Sequence, residues 1–430
     1  MNNKNIIKQI IKTKLNNKIY NKSILIDKYL IPNNNNKIEN GEVSTPYNLR
    51  KSMLDLLPID FWETPKKIFE PCCGKCAFLL DIINNFMIGL LKFEPNKNKR
   101  YKFIIEKCIY YGDINPINIM ISKLLLDPNN KYKLNYHEGD TLNINIKKKW
   151  NINGFNAVIG NPPYNSKGKI STGNTLWDKF TIKSLKEWIL ENGYLLFVHP
   201  SGWRKPFNKN TQTKGLFNLM TNKNNMIILI INSIDDGKKT FNCGTRFDYY
   251  LIKNTKLIKN TIIIDENKEK LNLNLSLLNW LPNSNINTIL KLINKKEKLN
   301  VIMNSSYHAI RNYISDIKDS EYKYQLIHST PKKGIRYKYS KINNKGHFGI
   351  SKIIFGESGI NHVIIDIDGV YGMTQGAIGI KINNIKEGEN IKNVLLSNKF
   401  KKILKSLIFG NFRINSNIFR NFNNDFWKYI

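Results

Sequence analysis

The sequence predicts an α/β domain over residues 41–260, with a mainly parallel sheet and crossover helices, followed by a mixed α+β domain over 301–430. Three observations predict it. Short apolar runs alternate with stretches of helical period through the first region. Turn residues and acids fall at the ends of those runs. Beyond residue 300 the texture changes to Tyr-, His-, Gly- and Ile-rich strands such as Ser351–Gly359 and His362–Gly372.

In chain order, residues 1–40 carry eight Lys against one Asp and one Glu, with Ile and Leu at loose helical spacing until the Asn33–Asn36 run. They form a basic N-terminal arm, which an amphipathic helix or a solvated appendage satisfies equally. Strands are expected at Ile68–Pro71, Cys108–Asp113, Lys133–Glu138, Phe155–Gly160, Gly193–His199, Met226–Ile231 and Arg246–Lys253. The clearest helix is Thr175–Glu191, with Leu176, Phe180, Leu185, Trp188 and Ile189 on one stripe. The seventh strand follows a short turn at Asp235-Asp236-Gly237, so it enters antiparallel. Residues 261–300, broken by Pro282, read as a connector with one helix near Ile286–Lys296. In the last domain a helix is expected at Lys399–Phe409, and tight turns at Gly356–Gly359 and Gly372–Gly379.

Composition narrows the function. The 430 residues hold 67 Lys and Arg against 33 Asp and Glu, a net charge of +34. Aromatics at 11% exclude a disordered polyelectrolyte. The charge excludes a binder of basic partners and points to phosphate or an anionic surface, although A+T-rich codons supply Lys and Asn without selection. Five Cys, three of them at Cys72, Cys73 and Cys76, make no disulfide framework, so a reduced, cytoplasmic setting is expected rather than a secreted one. Cys and His lack paired ligand spacing, so no metal is expected. No apolar run approaches a membrane span, the longest being Met226–Ile231.

The sharpest motif is Asn161-Pro162-Pro163-Tyr164, directly after the strand Phe155–Gly160. A Pro pair continues neither helix nor ladder, so it freezes an extended turn at the carboxyl end of a strand, where open α/β sheets bind ligands. The turn offers an amide oxygen and a carbonyl as acceptors beside an aromatic face, a set suited to a planar group bearing an amine. Its companions come in order. Glu70-Pro71-Cys72-Cys73-Gly74 ends the first strand ahead of a helix, and Gly74 permits close approach of a ligand. Asp113 ends the second strand, as expected where ribose hydroxyls are held, and Gly139-Asp140 ends the third. Upstream, Ser44-Thr45-Pro46-Tyr47 is placed to cap a helix.

This series resembles the amino-methylating, S-adenosylmethionine-dependent DNA methyltransferases, most closely the gamma-class N6-adenine enzymes of restriction–modification type. The resemblance covers roughly residues 41–254. It implies a Rossmann-like methyltransferase sheet of seven strands with the last antiparallel, and a C-terminal target-recognition domain. It implies that Thr45, Glu70, Cys72 and Gly74 lie against the methionine part of S-adenosyl-L-methionine, Asp113 against its ribose and Asp140 against its adenine. Asn161 and the Pro162 carbonyl would orient the target amine, Pro163 would stiffen the turn and Tyr164 would stack on the flipped base. Phe241 is the match for a second aromatic on the hairpin before the last strand. The implied partner is double-stranded DNA with one base extruded.

Two features depart from the family pattern. Cys76 replaces a second glycine, which predicts a tighter approach at the loop, and Gly74 lies 39 residues before Asp113 rather than about 20. For the C-terminal domain, 20 Lys and Arg against 9 acids interleave with tyrosines, and Arg311, Arg336, Arg413 and Arg420 are the candidate DNA contacts. RNA adenine methylation, methylation of a protein glutamine amide, and a decayed methyltransferase frame that only binds DNA remain open from sequence alone. The sequence sets no oligomeric state.

Overall fold

The structure is a computed structural model that describes residues 3–12, 22–30, 43–165, 175–206, 215–293, 296–303, 305–409, 414 and 416–430. It divides into two compact units, Met1–Trp203 with Lys209–Asn279, and Arg204–Asn208 with Trp280–Ile430.

The first unit is built on a nine-stranded sheet of order β3-β2-β1-β4-β5-β7-β6-β8-β9. Its strands are β1 (Ile68–Glu70), β2 (Ile109–Asp113), β3 (Asn135–Glu138), β4 (Phe155–Gly160), β5 (Ile189–Pro200), β6 (Asn225–Asn232), β7 (Phe247–Lys253), β8 (Thr261–Ile264) and β9 (Lys270–Leu273). The first five pair in parallel, and β7 runs antiparallel to both β5 and β6. The first seven strands thus match the expected architecture. Central β1 is buried throughout and β4 nearly so, whereas edge strand β3 is half-exposed. The helix Ala77–Gly89 buries Phe78, Leu79, Ile82, Ile83 and Phe86.

Four expectations need correction in this unit. The sheet does not stop near residue 260: β8 pairs in parallel with β6 and β9 with β8, so the first part of the expected connector is sheet. The alternating Thr261–Ile264 run buries Thr261 and Ile263, which a mere linker has no reason to do. The helix after Thr175 ends at Trp188, and Ile189 already belongs to β5. The Asp235–Gly237 segment is helix, Ile234–Phe241, started by a capping box between Ser233 and Asp236. Lastly, part of the N-terminal arm is packed rather than free. The helix Lys22–Tyr29 lies on Ala77–Gly89 and buries Ile26, and Ile11 and Leu30 join the same core.

The second unit holds two four-stranded sheets. One has the order β10 (Val301–Ile302), β17 (Ala377–Lys381), β14 (Lys352–Gly356), β15 (Gly359–Asp366). The other runs β11 (Ile314–Ser315), β13 (Arg336–Ser340), β12 (Tyr324–Ser329), β16 (Gly372–Met373). Helices Ile286–Ile293, Ile385–Leu396 and Asn398–Ser406 contribute to a core with Phe355, Phe400, Phe419, Phe422 and Phe426. The Gly356–Gly359 turn closes the β14–β15 hairpin, but Gly372–Gly379 is not one turn, since Gly372 and Gly379 lie in β16 and β17. On the β14–β15 ladder Lys352 faces Asp366 in a fully buried ion pair of 2.5 Å. No described helix is long and apolar enough to cross a membrane.

Candidate active site

The loops after β1, β2 and β3 are tied together at the carboxyl edge of the sheet. Cys73 N–H donates to the Gly112 carbonyl (2.9 Å), Thr141 Oγ1 to the Pro71 carbonyl (2.8 Å) and Gly139 N–H to the Asp113 carbonyl (2.9 Å). β1 and β4 are neighbours, so Glu70 and Asn161 emerge side by side, and a Cβ on Gly160 would stand 3.5 Å from Glu70 Cγ. Between them opens a cleft lined by Thr45, Glu70, Cys72, Gly74, Lys75 and Asn161 among others. Gly74, at φ +48°, has nothing within 4 Å of where a Cβ would sit, so the loop leaves open space there.

Asn161 carries the clearest chemistry. Its Nδ2 donates to the Val43 carbonyl (3.2 Å) and to Thr45 Oγ1 (3.1 Å). A carbonyl only accepts, so the amide orientation is fixed: Nδ2 faces Val43 and Oδ1 is the outstanding acceptor. That oxygen is buried and has no hydrogen-bond partner. Pro162 is buried behind it. The Tyr164 carbonyl accepts from Leu176 N–H (3.1 Å), and Asn165 bridges Thr175, so the turn is closed on the helix that follows. Tyr164 Oη is buried without a partner, and burial, with the Cys243 thiol as electrostatic neighbour, raises its pKa.

Glu70 is fully buried and its Oε2 has no partner. Burial pushes its carboxyl well above the usual range, against the pull of Arg50 and helped by Asp113 and Asp81. Thr45 does not cap the helix Tyr47–Leu54. Pro46 stands at the cap position with no side-chain bond, and Asp27 Oδ2 accepts from Tyr47 N–H (3.0 Å) instead. Asp113 is buried, its carboxylate accepting from Gly74 N–H (2.9 Å) and Asn115 N–H (2.8 Å). Asp140 is exposed and caps its own turn through Leu142 N–H (3.0 Å) and Asn143 Nδ2 (2.9 Å). Neither acid lines the cleft.

The two departures from the pattern have structural accounts. Cys76 adopts φ +73°, a left-handed conformation that costs an L-residue about 1–2 kcal/mol, but its side chain is buried in the hydrophobic core and does not line the cleft. The tight approach expected of it is therefore absent. The long spacing before Asp113 is taken up by the added helix Lys97–Phe103, and Asp113 still closes on Gly74.

Phe241 is not on a hairpin. It ends the Ile234–Phe241 helix, half-buried, with its ring edge-on to Phe247 at 4.9 Å. In the second unit Arg311, Arg336 and Arg420 are exposed, but on separate segments: a turn, β13, and the end of a short helix where Arg420 Nη2 donates to the Met303 carbonyl (3.3 Å). Arg413 lies outside the described residues. Tyr307, expected among the interleaved aromatics, is core, packed on Tyr313, His347 and Phe348.

Arg50 escaped the sequence reading. It is fully buried beneath the cleft, with Nε on Asp81 (2.6 Å), Nη1 on Asp27 (3.0 Å) and on the Thr45 carbonyl, and Nη2 on the Ser23 carbonyl (3.3 Å). Among the described residues no group of His, Cys, Asp and Glu is arranged to hold a metal.

The N-6 DNA Methylase family model matches residues 24–191. No curated protein sequence matches the chain. Among solved structures, the type IIL restriction-modification enzyme MmeI, in complex with DNA, aligns with a TM-score of 0.50 at 11% identity, covering 97% of this chain and 67% of that one. A type I restriction-modification system chain (TM-score 0.41, 13% identity) covers 51% of this chain and 44% of its own. A modification subunit of a putative type I restriction enzyme from Vibrio vulnificus (TM-score 0.41, 13% identity) covers 57% and 51%. The chain spans about half the length of those two. At such identities the likeness is one of fold.

Proposed function

We propose that the protein is a site-specific DNA methyltransferase that moves a methyl group from S-adenosyl-L-methionine to N6 of a flipped-out adenine. The observation that carries the reading is Asn161 Oδ1, a buried acceptor without a partner whose orientation is dictated by the Val43 carbonyl. A buried oxygen left so costs about 1–3 kcal/mol, which an exocyclic amine donating to it repays.

Two features of the cleft support the methyl donor as its ligand. Open space over Gly74 admits its main body, and the unpartnered Glu70 carboxyl oxygen suits its ammonium group. Cys72, Asp113 and Asp140 complete the assigned donor-binding set, while the Thr45 hydroxyl holds the Asn161 amide. When bound, the donor supplies an electrophilic methyl on a sulfonium that leaves as a neutral thioether. The chain's own part is positioning. Asn161 Oδ1 and the Pro162 carbonyl each accept one amine hydrogen, which draws the nitrogen lone pair out of ring conjugation and aims it. As the new C–N bond forms the S–C bond of the donor would break, and the cationic nitrogen would release one proton to solvent water. Tyr164 supplies a stacking face that offsets part of the few kcal/mol of base extrusion, on the order of 1–3 kcal/mol per stacked base. Phe241 is assigned the second face. Residues 301–430, with their 20 Lys and Arg, are assigned to target recognition, with Arg311, Arg336, Arg413 and Arg420 as the contacts to test.

The test is incubation with labelled donor and DNA or RNA of varied sequence, followed by nucleoside analysis. N6-methyladenine in DNA is expected. Label confined to RNA or to protein overturns the reading. Asn161→Ala is expected to abolish transfer while leaving donor binding within about threefold, the amide lying on the amine side of the site; surviving turnover overturns the assignment of Asn161.

A further inference from the structure

We propose that Asp27, on the N-terminal helix Lys22–Tyr29, is a further residue of the methyl-donor site, where it and Glu70 form a pair of carboxylates for the donor's ammonium group. The inference rests on the reading of the cleft given above and extends the site to a segment upstream of every motif that identified it. Ile26 and Asp27 line the same cleft as Glu70 and Asn161.

Three carboxyl groups, Asp27, Asp81 and Glu70, stand around Arg50, and the guanidinium is turned to Asp81, Asp27 and the carbonyls of Thr45 and Ser23 rather than to Glu70. Glu70 Oε2 is left buried and unpartnered. A fully buried carboxyl in that state calls for a donor, and a compact organic cation supplies one.

Asp27 is held ready for the same cation. Arg50 Nη1 lies 3.0 Å from Oδ1 and 3.1 Å from Oδ2, and Tyr47 N–H takes a second position on Oδ2. One lone pair of Oδ1 is left over. The Asp27 side chain stays about a quarter exposed, unlike Arg50, so it is reachable from the cleft. An ammonium carries three hydrogens, enough to bond Glu70 Oε2 and Asp27 Oδ1 together. Lys75 lines the same cleft and supplies the opposite charge for the carboxylate of an amino-acid moiety.

Calorimetric titration of the full chain with S-adenosylhomocysteine and with 5′-methylthioadenosine, which keeps the nucleoside and lacks the amino-acid part, tests this. Asp27→Asn is expected to weaken S-adenosylhomocysteine about tenfold to a hundredfold, the range of a lost charge-assisted hydrogen bond. Methylthioadenosine is expected to bind within about twofold of wild type, because no amino-acid group is involved. Wild-type protein that binds neither ligand refutes the reading of the cleft itself. Wild type that binds S-adenosylhomocysteine, with an Asp27→Asn variant that binds it equally well, refutes this proposal alone. Equal weakening of both ligands assigns Asp27 to holding Tyr47 and Arg50 and also overturns it. Asp27→Ser, which removes the charge with a smaller side chain, gives the same comparison if Asp27→Asn melts below the assay temperature.

Discussion

Thr45→Val separates positioning of the target amine from donor binding. Motif order alone assigns Thr45 to the donor, yet its Oγ1 is bonded to Asn161 Nδ2 at 3.1 Å. Valine keeps the shape, so the buried neighbours are little disturbed, but it removes the acceptor. Asn161 then retains the Val43 carbonyl for one amide hydrogen and has nothing for the other. An unsatisfied buried N–H costs about 1–3 kcal/mol. Rotation of the amide to escape that cost swings Oδ1 off the line of the incoming amine. If the whole cost appears in the transition state, turnover falls roughly fivefold to a hundredfold. The Thr45 carbonyl, which accepts from Arg50, is untouched by the change, so donor affinity should hold within about twofold. The assay is single-turnover methylation of a DNA substrate alongside calorimetric binding of S-adenosylhomocysteine. Unchanged turnover with a raised dissociation constant would refute the reasoning and return Thr45 to the donor.

Two stability predictions follow from buried ionisable groups away from the cleft. His199 is fully buried, stacked on Trp177 at 4.4 Å and bonded through Nε2 to Tyr250 Oη at 2.7 Å, and burial lowers its pKa from 6.5 to about 4. Between those values the unfolded chain takes a proton that the native state refuses, so stability is full above pH 6.5 and falls as pH drops towards 4, by up to about 3 kcal/mol. Urea denaturation of wild type and His199→Phe across that window should show the steeper slope in wild type, since buried His347 contributes to both; parallel curves would refute it. In the second unit, Asp366→Ala strands buried Lys352 and removes the acceptor of Val370 and Tyr371 N–H, so it should cost about 3–5 kcal/mol. Lys352→Met leaves Asp366 those two donors and should cost less, a ranking that denaturation midpoints check directly.

The parts of the fold that were legible share one property: their signal lies within a few consecutive residues. β4 reads as a strand because Phe155–Gly160 is apolar and ends in a Pro pair, and it folds with those bounds. The seventh strand enters antiparallel as expected. The misread elements are those whose signal is tertiary. Ile189 continues a helical stripe in the sequence, yet pairing with Phe155 draws it into β5. Ser233 and Asp236 form a capping box that competes with the turn implied by Asp235-Asp236-Gly237, and the helix wins. Phe241, expected on a hairpin, instead ends that helix.

The candidate site divides along the same line, and Arg50 shows why. Asn161, Glu70 and Gly74 stand in short motifs at strand ends, where chain direction alone brings them together. Arg50, Asp27, Ser23 and Asp81 have no motif, because what joins them is a guanidinium reaching across three helices. A signal was nevertheless present in composition. The chain holds 67 Lys and Arg, of which only eight are Arg, and Arg50, Arg100 and Arg204 are buried. A codon pool that fills surfaces with Lys does not account for buried Arg. A planar fork bonding several acceptors at once is something an ammonium cannot replace, so Arg persists where that geometry is required. In a chain whose +34 charge is spread along its length, the scarce cation is therefore the informative one. The buried Arg50 marks the acidic corner of the cleft more sharply than the abundant Lys mark any surface.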